Sequence, residues 1–228
     1  MKKLLPIILS CMLLPSPTYI ENSKAGFLIE SDKVSVVSIY SQGDNFKEDI
    51  EISVKTQSEE ICFSPEVDIG YFPNVFIGNF LDNGLDQILY SVNSGGSGAY
   101  SFYQIFSLKG GTETSVFNSN DFNPLISASY IENDIIEIDY QGKKLYLDSS
   151  TSACENKEDC SLTISAVNTI LPYYNIELDR YYLQVLQKIY GGFTANNYGY
   201  IVSLLEVNED GFSTIDIGVL SNFDYGNL

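Results

Sequence analysis

Two pairs of closely spaced carboxylates are the first candidates for chemistry. Glu66 and Asp68 form one pair, and Asp134 and Glu137 form the other. A glycosidase needs two such acids about 5 to 10 Å apart across a sugar site. Because the chain contains 30 acidic residues, pairs of this kind also arise by chance on a solvated face. The sequence therefore favours a solvated face over catalysis for both pairs.

The residues that much other enzyme chemistry uses are missing. The sequence contains no His, which removes the usual general base, zinc ligand and pH switch near neutrality. The glycine-rich stretch 94–98 could suggest a phosphate-binding loop, but no Lys follows the glycines and no helix is predicted to supply a dipole. A flexible hairpin loop is the favoured interpretation of this stretch.

The stretch 78–89, GNFLDNGLDQIL, mixes oxygen-bearing residues with glycines. Gly78, Phe80 and Gly84 match the calcium loop of FG-GAP or VCBS-type repeats, the units of integrin-like propellers, and the stretch resembles that loop. Two positions depart from the family pattern: Leu81 stands where the family has an oxygen ligand, and Gln87 holds the last acidic position, with Asp86 one place early. The resemblance implies a possible Ca²⁺ site whose ligands would be Asn79, Asp82, Asn83 and Asp86. A hairpin turn on Asn83 and Gly84 that needs no ion is the alternative.

The resemblance extends beyond this loop. The glycine-rich stretches 95–98 and 191–192, each followed by an aromatic strand, are similar to those of small exported VCBS-repeat proteins of Gram-positive bacteria. The resemblance covers residues 74–220. It implies a secreted or surface protein with a propeller-like fold and no established enzymatic role.

The N-terminus has the pattern of a secretory signal peptide. Lys2 and Lys3 precede a short apolar run, and Ser23 and Ala25 occupy the −3 and −1 positions of a cleavage site. We expect residues 1–25 to be removed and residues 26–228 to form the folded domain. The apolar run is shorter than the roughly 20 residues that cross a bilayer, and no other segment is long and apolar enough. A lipoprotein anchored at Cys11 is the minor alternative.

Cysteine use agrees with export. Cys154 and Cys160 enclose a polar stretch, so we predict an exposed loop in which these two thiols form a disulfide outside the cytoplasm. A metal site at this loop would need more ligands than the stretch offers. Cys62 lies between Ile61 and Phe63, and a buried free thiol is predicted there.

The rest of the chain predicts antiparallel sheet. Short runs of β-branched and aromatic residues alternate with Gly, Asn, Asp and Pro. The helical spacing of apolar residues over 178–189 is a competing signal, and we favour strand there. The predicted strands are 34–40, 50–56, 75–80, 87–93, 100–108, 114–118, 126–131, 135–140, 144–148, 162–167, 183–190, 199–207 and 212–220. Gly84, Gly111, Gly142 and Gly211 are predicted to allow tight hairpin turns.

An internal repeat suggests how these strands are arranged. Related units near 74–120 and 175–221 each read strand, glycine-rich loop, long strand, tight turn, strand. With the meanders 34–70 and 126–167 they make four segments about 50 residues apart. This period predicts an all-β, propeller-like fold of about four small antiparallel sheets. A two-layer β-sandwich is the alternative.

Charge and tyrosine content favour a binding function. The formal net charge of −18 repels phosphate backbones and anionic lipid, so nucleic acid is excluded as a partner class. Alternate residues of a strand face outward, so some of the 17 tyrosines should be exposed contact residues, although cross-strand packing is the commoner role. We expect an exported, non-catalytic protein that binds a protein or glycan. The alternative is an extracellular hydrolase using paired carboxylates and a cation.

Overall fold

The structure is a computed structural model that describes residues 36–55, 60–96, 98, 100–109, 112–132, 134–149, 160–192 and 196–221. The predicted signal peptide, Cys11, Cys154 and the turn at Gly111 lie outside these ranges. Within them the secondary structure consists of strands and one 3-10 turn, Ser119–Asp121, with no α-helix. The prediction of an all-β protein is therefore confirmed.

Fourteen strands follow one another along the described chain, and each predicted strand overlaps one of them. They are β1 (Val36–Gln42), β2 (Phe46–Lys55), β3 (Glu60–Phe63), β4 (Gly70–Gly78), β5 (Gln87–Asn93), β6 (Ser101–Lys109), β7 (Thr112–Asn118), β8 (Ile126–Glu132), β9 (Ile135–Tyr140), β10 (Lys143–Asp148), β11 (Leu162–Asn175), β12 (Arg180–Gly191), β13 (Asn197–Asn208) and β14 (Gly211–Ser221).

These strands form three antiparallel sheets. The largest has the order β1-β2-β4-β5-β6-β7, with β3 also paired to β2; β10-β9-β8 and β11-β12-β13-β14 are the others. The first two of the four predicted segments belong to one sheet because Phe46 and Lys47 of β2 pair with Tyr71 and Gly70 of β4. Both predicted repeat units lie in four-stranded meanders, β4 to β7 and β11 to β14. A radial, propeller-like arrangement stays a prediction.

The tight turns differ in how closely they follow the predicted positions. Gln141 and Gly142 have φ values of 50° and 87° and connect β9 to β10, as a two-residue primed turn requires. The turn between β13 and β14 is Glu209-Asp210, because Asn208 pairs with Gly211. Gly211, with φ of 135°, therefore begins β14, and the turn lies one residue earlier in the chain than predicted.

The buried core of the described chain consists of three hydrophobic clusters, one within the large sheet and two between sheets. The first lies within the large sheet, where Ile52 and Tyr90 pack together. The second joins the two four-stranded meanders, since Phe80 and Ile105 share it with Leu183 and Val185. In the third, Ile136, Ile138 and Leu147 of the three-stranded sheet pack on Ile189, Ile201 and Ile217 of the β11-β14 sheet. Burying a large aliphatic side chain contributes about 1.5–3 kcal/mol, so the second cluster fixes one meander against the other.

Candidate functional site

The loop that resembles a calcium loop connects β4 to β5. Gly78 pairs with Gln87, so residues 79–86 form the loop, which is longer than the predicted tight hairpin. Asp82 and Gly84 adopt φ values of 54° and 72°. Gly84 thus has the positive φ predicted for it, but in a larger loop.

The predicted calcium ligands take part in hydrogen bonds that shape this loop. Asn79 Oδ1 accepts from Asp82 N at 3.1 Å, and Asn83 Oδ1 accepts from Leu85 N at 3.0 Å. Asp82 is exposed and Asp86 is half-buried. Among the described residues, no group of three or more His, Cys, Asp or Glu side chains is placed to hold a metal ion. Calcium binding by these four residues stays a prediction.

Gln87 organises the interior of the loop, a role that the sequence analysis missed. Its side chain is 0% exposed. Its Oε1 accepts from Phe80 N at 2.6 Å and from Leu81 N at 3.0 Å. Its Nε2 donates to Asn83 Oδ1 at 3.1 Å and to the Leu85 carbonyl at 2.8 Å. The only local signal was that Gln87 occupies an acidic position of the family pattern.

The loop is fastened to the turn 176–179 between β11 and β12. Asn79 Nδ2 donates to the Asp179 carbonyl at 3.1 Å, and Tyr181 N donates to the Asn79 carbonyl at 2.7 Å. The partners are about 100 residues apart, so corresponding positions of the two predicted repeat units meet here.

Arg180, the single arginine of the sequence, strengthens this junction. Its side chain is 7% exposed. Nη2 donates to the carbonyls of Phe80 at 2.7 Å and Val207 at 2.8 Å, and Nη1 donates to Glu206 Oε1 at 2.8 Å. The guanidinium carbon lies 5.3 Å from the ring centroid of Tyr182, within the range of a cation–π contact. Arg180 thereby links the β4–β5 loop to β13.

Aromatic rings fill the space between the loop and the turn. The Tyr181 ring centroid lies 4.9 Å from that of Phe76, 5.7 Å from that of Phe80 and 5.0 Å from that of Tyr174. A Cβ on Gly78 would lie 2.6 Å from the Tyr181 ring, so this position requires glycine. Burial raises the pKa of Tyr181, and the charges of Asp179 and Asp86 raise it further.

The end of the β11–β12 hairpin exposes a group of large hydrophobic side chains. Of the thirteen exposed large hydrophobic residues in the described chain, five lie within residues 171–178. Ile176 is 82% exposed and Leu178 is 52% exposed. We call this group the tip surface; it consists of Leu171, Tyr173, Tyr174, Ile176 and Leu178.

Hydrogen bonds shape the turn that carries the tip surface. Asn175 Oδ1 accepts from Glu177 N at 3.0 Å and from Leu178 N at 3.2 Å, which is an Asx-type turn. The Tyr174 hydroxyl donates to Asp179 Oδ1 at 2.6 Å, a hydrogen bond that raises the pKa of Tyr174. The apolar side chains are therefore presented by an ordered turn.

In the two carboxylate pairs, Glu66 and Asp134 are exposed, and Asp68 and Glu137 are half-buried. Glu66 accepts a hydrogen bond from Asn118 Nδ2. Glu137 forms an ion pair with Lys144 at 2.7 Å, and the Asp68 carbonyl accepts from Ile50 N at 2.9 Å. The Asp134 carbonyl accepts from Ser149 N at 2.8 Å.

The glycine-rich stretch 94–98 belongs to the loop between antiparallel strands β5 and β6. Ser94 N donates to the Tyr100 carbonyl at 2.9 Å, and Gly95 N donates to Asn93 Oδ1 at 2.7 Å. The stretch is therefore a hairpin loop, as predicted, and its described polar groups close the hairpin.

The cysteines only partly follow the predictions. Cys160 is disulfide-bonded, but Cys154 lies outside the described residues, so their pairing stays a prediction. Cys62 is free and exposed. The prediction that it is buried is wrong because side chains alternate along β3: Phe63 points into the core, and Cys62 points to solvent.

A second exposed aromatic group lies where β2 meets β4. Phe72 is 78% exposed with φ of 50°, a conformation that is strained for a bulky residue. The pairing of β4 with β5 shifts between Tyr71 and Asn74, which is the mark of a β-bulge. The Phe46 and Tyr71 ring centroids lie 5.0 Å apart beside it.

Comparison with known proteins adds one distant relative. Over 163 residues the chain is 24% identical to the uncharacterized protein YybI of Bacillus subtilis (strain 168), and the alignment covers 63% of this chain and 61% of that protein. No family model and no solved structure matches the chain. Membership of the FG-GAP or VCBS families stays a prediction. In its described part, the chain has no helix with the length and hydrophobicity needed to span a bilayer.

Proposed function

We propose that the protein is an exported, non-catalytic binding or surface protein, and that the tip surface is its recognition element. The observation that carries this proposal is the exposure of five large hydrophobic side chains on one ordered hairpin end. Burial of such side chains drives folding at about 25 cal/mol per Å². A concentration of exposed large apolar side chains on one element is typical of interaction sites in soluble proteins.

The internal hydrogen bonds of the turn favour recognition. A surface that is ordered before binding loses less conformational entropy when the partner arrives. Tyr173 and Tyr174 have few rotatable bonds and combine an apolar ring with a polar hydroxyl, which suits contact residues. The rigid junction made by Arg180 and Asn79 holds the turn against the rest of the molecule.

Calcium stabilisation of the neighbouring loop, with Asn79, Asp82, Asn83 and Asp86 as ligands, belongs to the same proposal. The loop contacts the turn directly, so an ion bound there would stabilise the position of the tip surface. The ion would act on structure and would take no part in a reaction.

The proposal is tested with an array of glycans, wall polymers and candidate proteins, together with a panel of hydrolase assays. We compare the wild type with the double variant I176S/L178S. Because Ile69 and Ile131 are also exposed aliphatic residues but lie outside the β11–β12 hairpin, just before β4 and on β8, I69S/I131S is the matched control.

We expect wild type and control to bind the same ligand, and I176S/L178S to lose at least about tenfold in affinity, as truncation of contact residues does. We expect no turnover of any substrate. Equal binding by all three proteins would show that the tip surface is not the site. Turnover that one Asp→Asn substitution such as D134N abolishes would favour the hydrolase instead.

A further inference from the structure

The side chains around the tip surface are predominantly acidic. Glu177 and Asp179 belong to the turn itself, and Asp82 and Asp86 belong to the loop fastened to it. The arginine at this end, Arg180, is buried and already bound to Glu206. Arg180 therefore does little to offset the negative potential that faces an incoming molecule.

A second copy of this chain is a poor occupant. A two-fold symmetric contact would place the same surface against itself, bringing Glu177 and Asp82 of each copy towards the same groups of the other. The net charge of −18 adds long-range repulsion between copies. Anionic polymers and anionic lipid are opposed by the same potential.

A neutral glycan also fits less well than a protein. The two most exposed side chains of the tip surface, Ile176 and Leu178, are aliphatic, and only the less exposed Tyr173 and Tyr174 offer a flat ring on which a sugar could stack. A glycan would leave the surrounding carboxylates without a charged partner. Complementary potentials across an interface speed association and exclude wrong partners, so the acidic rim favours a basic partner.

Resting on the proposed function, we infer that the tip surface binds a cationic segment of another protein, in which lysine or arginine flanks apolar side chains. The apolar side chains of the segment cover Ile176 and Leu178. Its basic groups pair with Glu177 and Asp82, which are both exposed. The ordered turn supplies a fixed spacing between the apolar and acidic parts of the site.

The experiment uses the whole protein and three labelled synthetic peptides. One peptide combines lysine with leucine, the second replaces each lysine with glutamate, and the third replaces each leucine with serine. Fluorescence anisotropy gives the dissociation constant of each peptide at low and high salt. The protein variants are I176S/L178S and D82N/E177Q.

A matched charge control is D44N/E48Q. Asp44 and Glu48 are exposed and lie near the Phe46–Tyr71 pairing, at the opposite end of the β4–β5 pair from the loop. This variant removes two negative charges from the protein, the same number as D82N/E177Q removes. It therefore separates attraction by the net charge from contact at the tip surface.

We expect the lysine–leucine peptide alone to bind well, with an affinity that falls as salt screens the charges. I176S/L178S and D82N/E177Q should each weaken it about tenfold or more, whereas D44N/E48Q should bind as the wild type does. The inference is overturned if the lysine–leucine peptide does not bind, if the glutamate peptide binds equally, or if both charge variants weaken binding alike.

Two further results distinguish this inference from the proposed function. If I176S/L178S loses a neutral glycan ligand but not the cationic peptide, the tip surface is a binding site and the inferred partner is wrong. If sedimentation shows a wild-type dimer that I176S/L178S abolishes, the occupant is a second copy and the inference also fails.

Discussion

Replacing Arg180 should destabilise the fold more than its position at the start of a strand suggests. In R180M, the carbonyls of Phe80 and Val207 lose a charged donor in a buried place. A hydrogen bond to a charged group contributes about 1.5–3 kcal/mol, so two of them give about 3–6 kcal/mol. Burying the guanidinium costs desolvation free energy in the wild type. R180M removes this cost, which offsets part of the loss of hydrogen bonding. We expect the free energy of unfolding to fall by about 3–5 kcal/mol, as when a buried pair loses one partner.

The ion pair with Glu206 contributes much less to this effect. Glu206 is 38% exposed, and solvent-screened pairs are worth about 0–1 kcal/mol. E206Q should therefore lose no more than about 1 kcal/mol, which makes it the matched control. R180K should fall between the two, because an ammonium group cannot reproduce the planar fork of a guanidinium.

The assay is urea unfolding at neutral pH. The free energies of unfolding are compared between proteins whose dependence on urea concentration, the slope m, is unchanged. The reasoning about the junction is refuted if R180M loses less than about 1 kcal/mol, or if E206Q loses as much as R180M. A small loss in R180M would mean that the buried carbonyls find other donors when the guanidinium is absent. An equal loss in E206Q would mean that the ion pair with Glu206 contributes more than the two bonds to carbonyls.

Four other perturbations test neighbouring features. Q87L should lose about 2–5 kcal/mol in urea unfolding, because two backbone N–H groups lose their acceptor, while Q184L on the half-buried side of β12 should change stability by no more than about 0.5 kcal/mol. Calcium should raise Tm in a concentration-dependent way, because an ion held by Asn79, Asp82, Asn83 and Asp86 would bind the folded state alone; an unchanged Tm would show that the ion site is absent. F72N should raise stability by about 0.5–1 kcal/mol, since Asn tolerates a positive φ, and a loss would show that the exposed ring is needed for folding. Burial, and then the charge of Asp68, raises the pKa of Tyr90 above its ordinary value of 10.0, so the unfolded chain loses this proton first. Stability should therefore fall by up to about 1.4 kcal/mol per pH unit as pH rises above about 10, and Y90F, measured across that range, should reduce the fall.

Most strands could be predicted because their signals are local. Runs of β-branched and aromatic residues between turn residues identified thirteen strands. The strand Glu60–Phe63 was missed because four residues are too few to show a recognisable alternation of apolar and polar side chains. Its strand conformation comes from pairing with β2. The extension of β11 to Asn175 was also missed, because Pro172 argues against a strand. Proline is tolerated there because β11 is an edge strand.

The helical spacing over 178–189 shows how pairing overrides periodicity. Leu178 lies in the turn, and Tyr182, Val185 and Ile189 lie on β12, which is hydrogen-bonded to β11 on one side and β13 on the other. A central strand with both faces largely covered has apolar residues at many positions. Its spacing can therefore imitate an amphipathic helix.

The candidate site could be predicted only in part. The sequence predicts that some tyrosines are exposed, and Tyr173 and Tyr174 are. The more exposed members of the tip surface are Ile176 and Leu178, which composition alone assigns to the core. The loop was recognised by its oxygen-bearing residues, but the amide that organises it, Gln87, had looked like a departure from the pattern.

The sequence by itself determined the strand content, most hairpins and the acidic character, because alternation, turn chemistry and charge are properties of short segments. Only the tertiary structure decided that the loop 79–86 meets the turn 176–179, that Arg180 joins them, and that five hydrophobic side chains remain in water. These facts depend on contacts between residues about 100 positions apart. Such contacts arise when the two meanders bury a shared core, and no short segment of the sequence encodes which surfaces that burial leaves exposed.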